Sequence, residues 1–144
     1  MTSPLTQLST FGDSMNAVVI GASGGIGSRM TSHLAEMKNV RRIVALSRTP
    51  IEATSKIFSH HIDLEDAKSI EVAAQYAQTV LQDIQLIIVA SGILHDKTMQ
   101  PEKALRQIDG DNFARAMAVN AIGPALVIKY FAPLMVRIGK TVLA

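Results

Sequence analysis

The stretch Asn16-Ala17-Val18-Val19-Ile20-Gly21-Ala22-Ser23-Gly24-Gly25-Ile26-Gly27 decides the fold of this chain. A short apolar run, bounded on both sides and too brief for a helix, runs directly into glycines at 21, 25 and 27. A helical pattern opens at once behind them, with Ile26, Met30 and Leu34 predicting an inward stripe on a helix over residues 25–37. Strand, glycine turn and helix in that order form one half of a parallel βαβ unit.

The turn also carries chemistry. Without a Cβ at Gly21, Gly25 and Gly27, the backbone turns sharply and leaves room for a diphosphate to reach the N–H groups around Ser23 and Ile26. The helix dipole adds about 0.3–2 kcal/mol in favour of an anion there. A P-loop does not fit, because Gly27 is followed by Ser28 and Arg29, with no lysine for terminal phosphates and no hydroxyl in place for magnesium.

Working outward, Ile43-Val44-Ala45-Leu46 reads as a second strand, residues 58–62 as a third, and Leu86-Ile87-Ile88-Val89-Ala90 as a fully buried fourth. Pro50 lies in a connection too short for more than one or two helical turns. Residues 63–81 form a helix with Ile70, Ala73, Ala74, Ala77, Val80 and Leu81 inward. A long helix over 111–135 is expected to kink at Gly123-Pro124. Thr141-Val142-Leu143-Ala144 resembles a fifth strand beginning. This alternation specifies α/β architecture, a Rossmann-type doubly wound parallel sheet that is incomplete at its C-terminal side. Ligands bind such sheets beyond the carboxyl ends of the strands.

Composition narrows the class. The chain has 144 residues, 48% hydrophobic but only 4% aromatic, so the core is aliphatic. Fourteen basic and twelve acidic side chains are scattered without interleaved aromatics, giving no support for nucleic-acid binding. Zero cysteines leave no disulfide, thiolate metal site or cysteine nucleophile, and cytoplasm is the expected compartment. No signal-peptide pattern and no stretch of transmembrane length is expected, hence no membrane partner. Residues 1–14 are expected to be a disordered or upstream leader, with the dinucleotide-binding domain over 15–144.

At the end of the second strand, where an acid would bind an adenosine ribose diol, stand Ser47-Arg48-Thr49. An arginine there favours a 2′-phosphate, by roughly ten- to hundredfold for NADP over NAD, against the alternative of a solvated surface arginine. Asp63-Leu64 ends the third strand, and Asp63 either meets an adenine amino group, caps the next helix, or does both. His60 and His61 point to opposite faces of a strand and lack a third ligand, so no metal is expected. Asp96, Glu102 and Lys103 read as a solvated loop.

Together these residues resemble the short-chain dehydrogenase/reductase family. Its Thr-Gly-x-x-x-Gly-x-Gly signature matches Ile20-Gly21-Ala22-Ser23-Gly24-Gly25-Ile26-Gly27 with the threonine replaced. Its Asn-Asn-Ala-Gly segment falls on Val89-Ala90-Ser91-Gly92, where the glycine remains and both asparagines are lost, so that Ala90, Ser91 and Gly92 are implied as backbone contacts to the cofactor. Its Val-Asn-x-x-Gly element falls on Val119-Asn120-Ala121-Ile122-Gly123, which implies that Asn120, at a helix kink, holds a water in the proton relay. Ser91-Gly92-Ile93-Leu94-His95-Asp96 with Pro101-Glu102-Lys103-Ala104-Leu105 is similar, more narrowly, to the C-factor-like bacterial branch.

The resemblance runs from Asn16 to Ala144 and covers the first part of a family member. The family's serine and Tyr-x-x-x-Lys are not in it: four residues after Tyr76 comes Val80, and four after Tyr130 comes Leu134. In the family that tyrosine exchanges a proton with a carbonyl or alcohol while the nicotinamide transfers hydride. The resemblance thus implies the NADP(H)-binding portion of such an oxidoreductase, truncated or a fragment, with an unknown small carbonyl or alcohol substrate. The alternative is a non-catalytic dinucleotide-binding or protein-interaction module. Self-association through the unfinished sheet is expected in either case.

Overall fold

A computed structural model of the chain describes residues 8–137 and 139–144. Five parallel strands, β1 (Met15–Ile20), β2 (Val40–Ser47), β3 (Ile57–His61), β4 (Leu86–Val89) and β5 (Val142–Leu143), form one sheet in the order β3-β2-β1-β4-β5. Helix α1 (Gly25–Glu36) covers one face, and α2 (Ala67–Leu81) packs with the long C-terminal helix on the other.

The strands are continuous apolar runs because both faces are covered. On β1, Val18 and Ile20 enter the core beneath α2 with Val44, Leu46, Ile70, Ala77, Val127 and Phe131. The alternate residues Ala17 and Val19 enter a second core under α1 with Ile43, Ala45, Leu34 and Met37. The chain runs outward from β1 to β3 and then returns across it to β4, so the order reverses between β1 and β4. A doubly wound sheet opens a crevice at that reversal.

Several expectations need correction. The stripe Ile26, Met30, Leu34 is not the inward face of α1: Ile26 is 68% and Met30 40% exposed, while Gly27, Thr31 and Leu34 are buried. Close contact between Gly27 and the preceding turn sets the helix rotation, overriding the apolar periodicity. Helix α2 begins at Ala67, and Asp66 rather than Asp63 is its N-cap, accepting the Lys68 N–H at 2.9 Å.

The long helix is interrupted earlier than its proline suggests. It comprises α3 (Gly110–Met117), a π-turn (Ala118–Ile122), α4 (Gly123–Phe131) and a final 3-10 turn (Ala132–Leu134). Pro124 has no N–H, so the carbonyl of Asn120, four residues back, lacks its α-helical donor. The wider π-turn forms where that register fails. The run Gly110–Leu134, 25 residues long, contains an 18-residue window of mean hydropathy 1.4 and by length and composition could cross a bilayer, contrary to the expectation that no stretch would. Here it lies against the sheet, with Val127 and Phe131 buried.

Part of the expected leader packs on the domain. A 3-10 turn at Ser9–Phe11 brings Leu8 and Phe11 onto the second core. The buried Asn39 side chain accepts the Leu8 N–H and donates to the carbonyls of Leu8 and Gly12. The remainder of the leader, residues 1–7, lies outside the described residues.

Candidate functional site

Four strand ends converge on one crevice. It is lined by Gly21, Ser23 and Gly24 after β1, Ser47 and Arg48 at β2, Ile62, Asp63, Leu64 and Glu65 after β3, and Ala90, Ser91, Gly92 and Ile93 after β4. Val119 in the π-turn closes the remaining side. Parallel pairing places these segments together: Gly21 N–H and Ala22 N–H both donate to Leu46 O, Ala90 N–H to Ile20 O, and Ile62 N–H to Ser47 O.

The glycine turn is made by two contacts that no side chain could share. Gly21 has φ +85°, and a methyl there would come within 2.8 Å of Ser91 Oγ and the Ala90 carbonyl. A methyl at Gly27 would overlap the Gly21 carbonyl oxygen, which is how α1 starts tight against β1. Gly25 differs. Its φ is not positive, it is exposed, and a methyl there would meet nothing within 4 Å. The protein's own packing does not require glycine at 25, whereas a ligand backbone approaching from outside would.

The rim of this turn suits an anion. N–H groups in the first turn of α1 have no carbonyl partner within the helix, the Gly24 N-cap supplies no side-chain cap, and no acidic residue lies in the first turn. Arg48 at the end of β2 is exposed and makes no ion pair among the described residues. Ser47 is buried and its hydroxyl donates to Thr49 O at 2.6 Å, fixing the bend that presents Arg48. Asp63 lies across the crevice. One of its oxygens accepts the Glu65 N–H at 2.9 Å, and its own N–H donates to Ser69 Oγ.

Of the residues expected at the site, Gly21, Ser23, Ser47, Arg48, Asp63, Leu64, Ala90, Ser91 and Gly92 line the crevice. Gly25, Ile26 and Gly27 belong to the first turn of α1 beside it, with Ile26 facing outward. Asn120 is not in the lining. Its side chain accepts the Ile93 N–H at 2.8 Å and donates to Ile93 O at 2.7 Å, so both ends of the amide are taken. Gly123 lets the helix approach Leu64 closely, since a methyl there would fall 2.7 Å from Leu64 Cβ.

His60 stacks on Tyr76 at 4.3 Å, and no group of three or more metal-ligating side chains occurs among the described residues.

Sequence reasoning missed Gly24, Ile62, Glu65, Ile93 and Val119 in the lining, and it did not foresee the partners that Asp96 finds within its loop. That carboxylate accepts N–H bonds from Thr98 and Met99 and pairs with Arg115 Nη1 at 2.6 Å. The Thr98 backbone N–H, then the Thr98 hydroxyl and Arg115, hold its carboxyl well below the usual carboxylate range. The spacing Asp96-Lys97-Thr98 is an Asx-turn signal that could have revealed it. Arg115 also reaches Glu65, Nε to Oε1 3.4 Å. The hydrogen bond to Asp96, followed by attraction to both carboxylates, raises the guanidinium's affinity for its proton.

Solved structures share this fold. The chain matches the fold of an NADPH-bound carbonyl reductase from chicken fatty liver, 20% identical with a TM-score of 0.72, over 93% of this chain and 54% of that one. A short-chain dehydrogenase/reductase from Serratia marcescens is 19% identical with a TM-score of 0.72, over 87% and 54%. An aldohexose dehydrogenase from Thermoplasma acidophilum in ligand-free form is 19% identical with a TM-score of 0.69, over 86% and 45%. The chain thus spans about half the length of these structures, and at such identities the likeness is one of fold. A comparison with curated proteins finds no match. The short chain dehydrogenase family model aligns with residues 15–142, and the chain belongs to that family.

Proposed function

We propose that this chain is the NADP(H)-binding portion of a short-chain oxidoreductase that, in complete form, transfers hydride between the cofactor and a small carbonyl or alcohol. The observation that carries the reading is the glycine turn. Gly21 and Gly27 are accounted for by contacts inside the fold, while Gly25 faces open space at an anion-favouring helix start. A diphosphate resting on the N–H groups around Ser23, Gly25 and Ile26 supplies the missing neighbour.

Arg48 supports NADP over NAD. It occupies the end of β2, beside the crevice and free of ion pairs among the described residues, where an acid would instead favour a ribose diol. Asp63 and Leu64 suit the adenine side, and Ala90 to Gly92 suit backbone contacts further along the cofactor.

When bound, the nicotinamide supplies the hydride chemistry. This chain's residues bind and orient it. Asn120 supports a place in a proton relay through its carbonyl, left without its α-helical donor by Pro124, rather than through its engaged side chain. No Tyr-x-x-x-Lys occurs in the sequence, so pure chain is expected to bind cofactor without turning over a reporter carbonyl. The segments 91–96 and 101–105 support the C-factor-like branch within the family.

A second reading, a non-catalytic module that pairs with another chain, is favoured by β5. Among the described residues β4 alone pairs with it, and Val142 is exposed at the sheet's edge. Concentration-dependent sedimentation would support it, and a monomer at all concentrations would refute it.

Titration with NADPH and NADH tests the main reading. Saturable binding that favours NADPH by about tenfold or more, with the preference lost in Arg48→Ala, is expected. Absence of saturable binding to folded protein would overturn it, and an unchanged preference in Arg48→Ala would remove the phosphate contact.

A further inference from the structure

Three charged residues line the adenosine end of the crevice. Arg48 follows β2, while Asp63 and Glu65 come from the turn between β3 and α2, where the Asp63 carboxylate is engaged by the Glu65 N–H. The exposed Arg48 meets no carboxylate among the described residues. Glu65, by contrast, is held by Arg115 on α3, the helix that leads into the π-turn carrying the crevice-lining Val119. Arg115 is itself anchored by Asp96, whose carboxylate organises residues 96–99 through Thr98 and Met99. Asp96, Arg115 and Glu65 thus form a chain of alternating charge that ends at the crevice lip.

A free carboxylate at that lip has two consequences for a ligand carrying a 2′-phosphate. It repels the dianion across the crevice, and it competes for Arg48, the cation that lines the crevice among the described residues. A ligand ending in a ribose diol suffers neither effect to the same degree. Restraint of Glu65 by a guanidinium removes much of both.

Building on the dinucleotide reading above, we propose that Arg115 is a positioning residue for cofactor choice: it holds and neutralises Glu65, so that the crevice discriminates in favour of a 2′-phosphorylated dinucleotide. Asp96 sets the place of Arg115 and leaves it enough positive charge for Glu65. Arg48 supplies the attraction, and Arg115 suppresses an opposing charge.

Equilibrium binding of NADPH and NADH to the full chain tests this with wild type, Arg115→Met, Glu65→Gln and the double variant. Arg115→Met is expected to lower NADPH affinity about twofold to fivefold while moving NADH less, the range open to a partly exposed charge pair. Glu65→Gln added to Arg115→Met is expected to restore the NADPH/NADH ratio, and Arg115→Lys to keep it near the wild-type value. The differences should shrink as salt rises from 50 to 500 mM, on the order of a Debye-length change from about 14 to 4 Å. Equal losses for both dinucleotides, unrepaired by Glu65→Gln, would show Arg115 to be structural only and would overturn the inference while leaving the dinucleotide site intact. Failure of folded wild type to saturate with either dinucleotide would overturn the site itself and this inference with it.

Discussion

Asn120 and Ile93 exchange two hydrogen bonds, Ile93 N–H to Asn120 Oδ1 at 2.8 Å and Asn120 Nδ2 to Ile93 O at 2.7 Å. A side-chain amide carries a donor and an acceptor in the same relation as a peptide group, so Asn120 pairs with Ile93 as a neighbouring strand residue would. This joins the segment after β4 to the π-turn and fixes the wall of the crevice.

Asn120→Ala should therefore loosen residues 91–95 while leaving the sheet intact, at a cost of about 1 kcal/mol for exposed bonds of this kind. Hydrogen exchange checks it: faster exchange at Ile93 and neighbours with unchanged β1 and β2 is expected. Asn120→Asp should be worse than Asn120→Ala, because it turns the donor to Ile93 O into a second acceptor.

Glycine substitutions separate fold from ligand. Gly27→Ala drives a methyl into the Gly21 carbonyl, which is backbone and has little room to move, so urea denaturation should show a loss of about 3 kcal/mol or failure to fold. Gly25→Ala meets nothing and should stay within about 0.5 kcal/mol of wild type. Its NADPH affinity should nevertheless fall at least about tenfold. A Gly25→Ala variant that binds as wild type would contradict the assignment of this glycine to the ligand.

Asn39 ties residues 8–12 to the domain with three hydrogen bonds from a buried side chain. Asn39→Ala should cost about 2 kcal/mol, chiefly by leaving the Leu8 and Gly12 carbonyls without their donor. Limited proteolysis should then cut near Phe11 sooner than in wild type. Unchanged cutting would show that Leu8 and Phe11 are held by packing alone.

The Asp96 turn has a defined pH response. Because its folded-state pKa is depressed, the stabilisation is fully present above the unfolded value of about 3.9 and is lost only as pH falls through the lower folded value. Proteolytic protection of residues 96–99 should stay flat from neutral pH down to about pH 4 and then decline. Asp96→Asn should lower protection across that whole range. Loss of wild-type protection near neutral pH would contradict this account.

Much of the molecule is legible in its sequence, for reasons that also explain the failures. Val18-Val19-Ile20 and Ile87-Ile88 read as strands because both sheet faces are covered, and Arg48 stood out because it follows a recognisable strand end. Helix α1 lies where its pattern puts it, but its inward face differs because its rotation follows the contact between Gly27 and Gly21, which apolar periodicity does not encode. Glu65 and Val119 escaped notice because a crevice lip is assembled from segments over fifty residues apart. Asp66 took the cap because the chain bends at residues 63–65 before α2 begins, and the sequence offered two aspartates three residues apart.

If backbone amides at the glycine turn receive a diphosphate, titrating NADPH into 15N-labelled chain should move their resonances. Saturable shifts are expected at Ser23, Gly25 and Ile26, with smaller ones at Arg48 and Ser91, and none at the opposite ends of β1 and β2. Saturable shifts that bypass residues 21–27, or no saturable shift in folded protein, would contradict this contact.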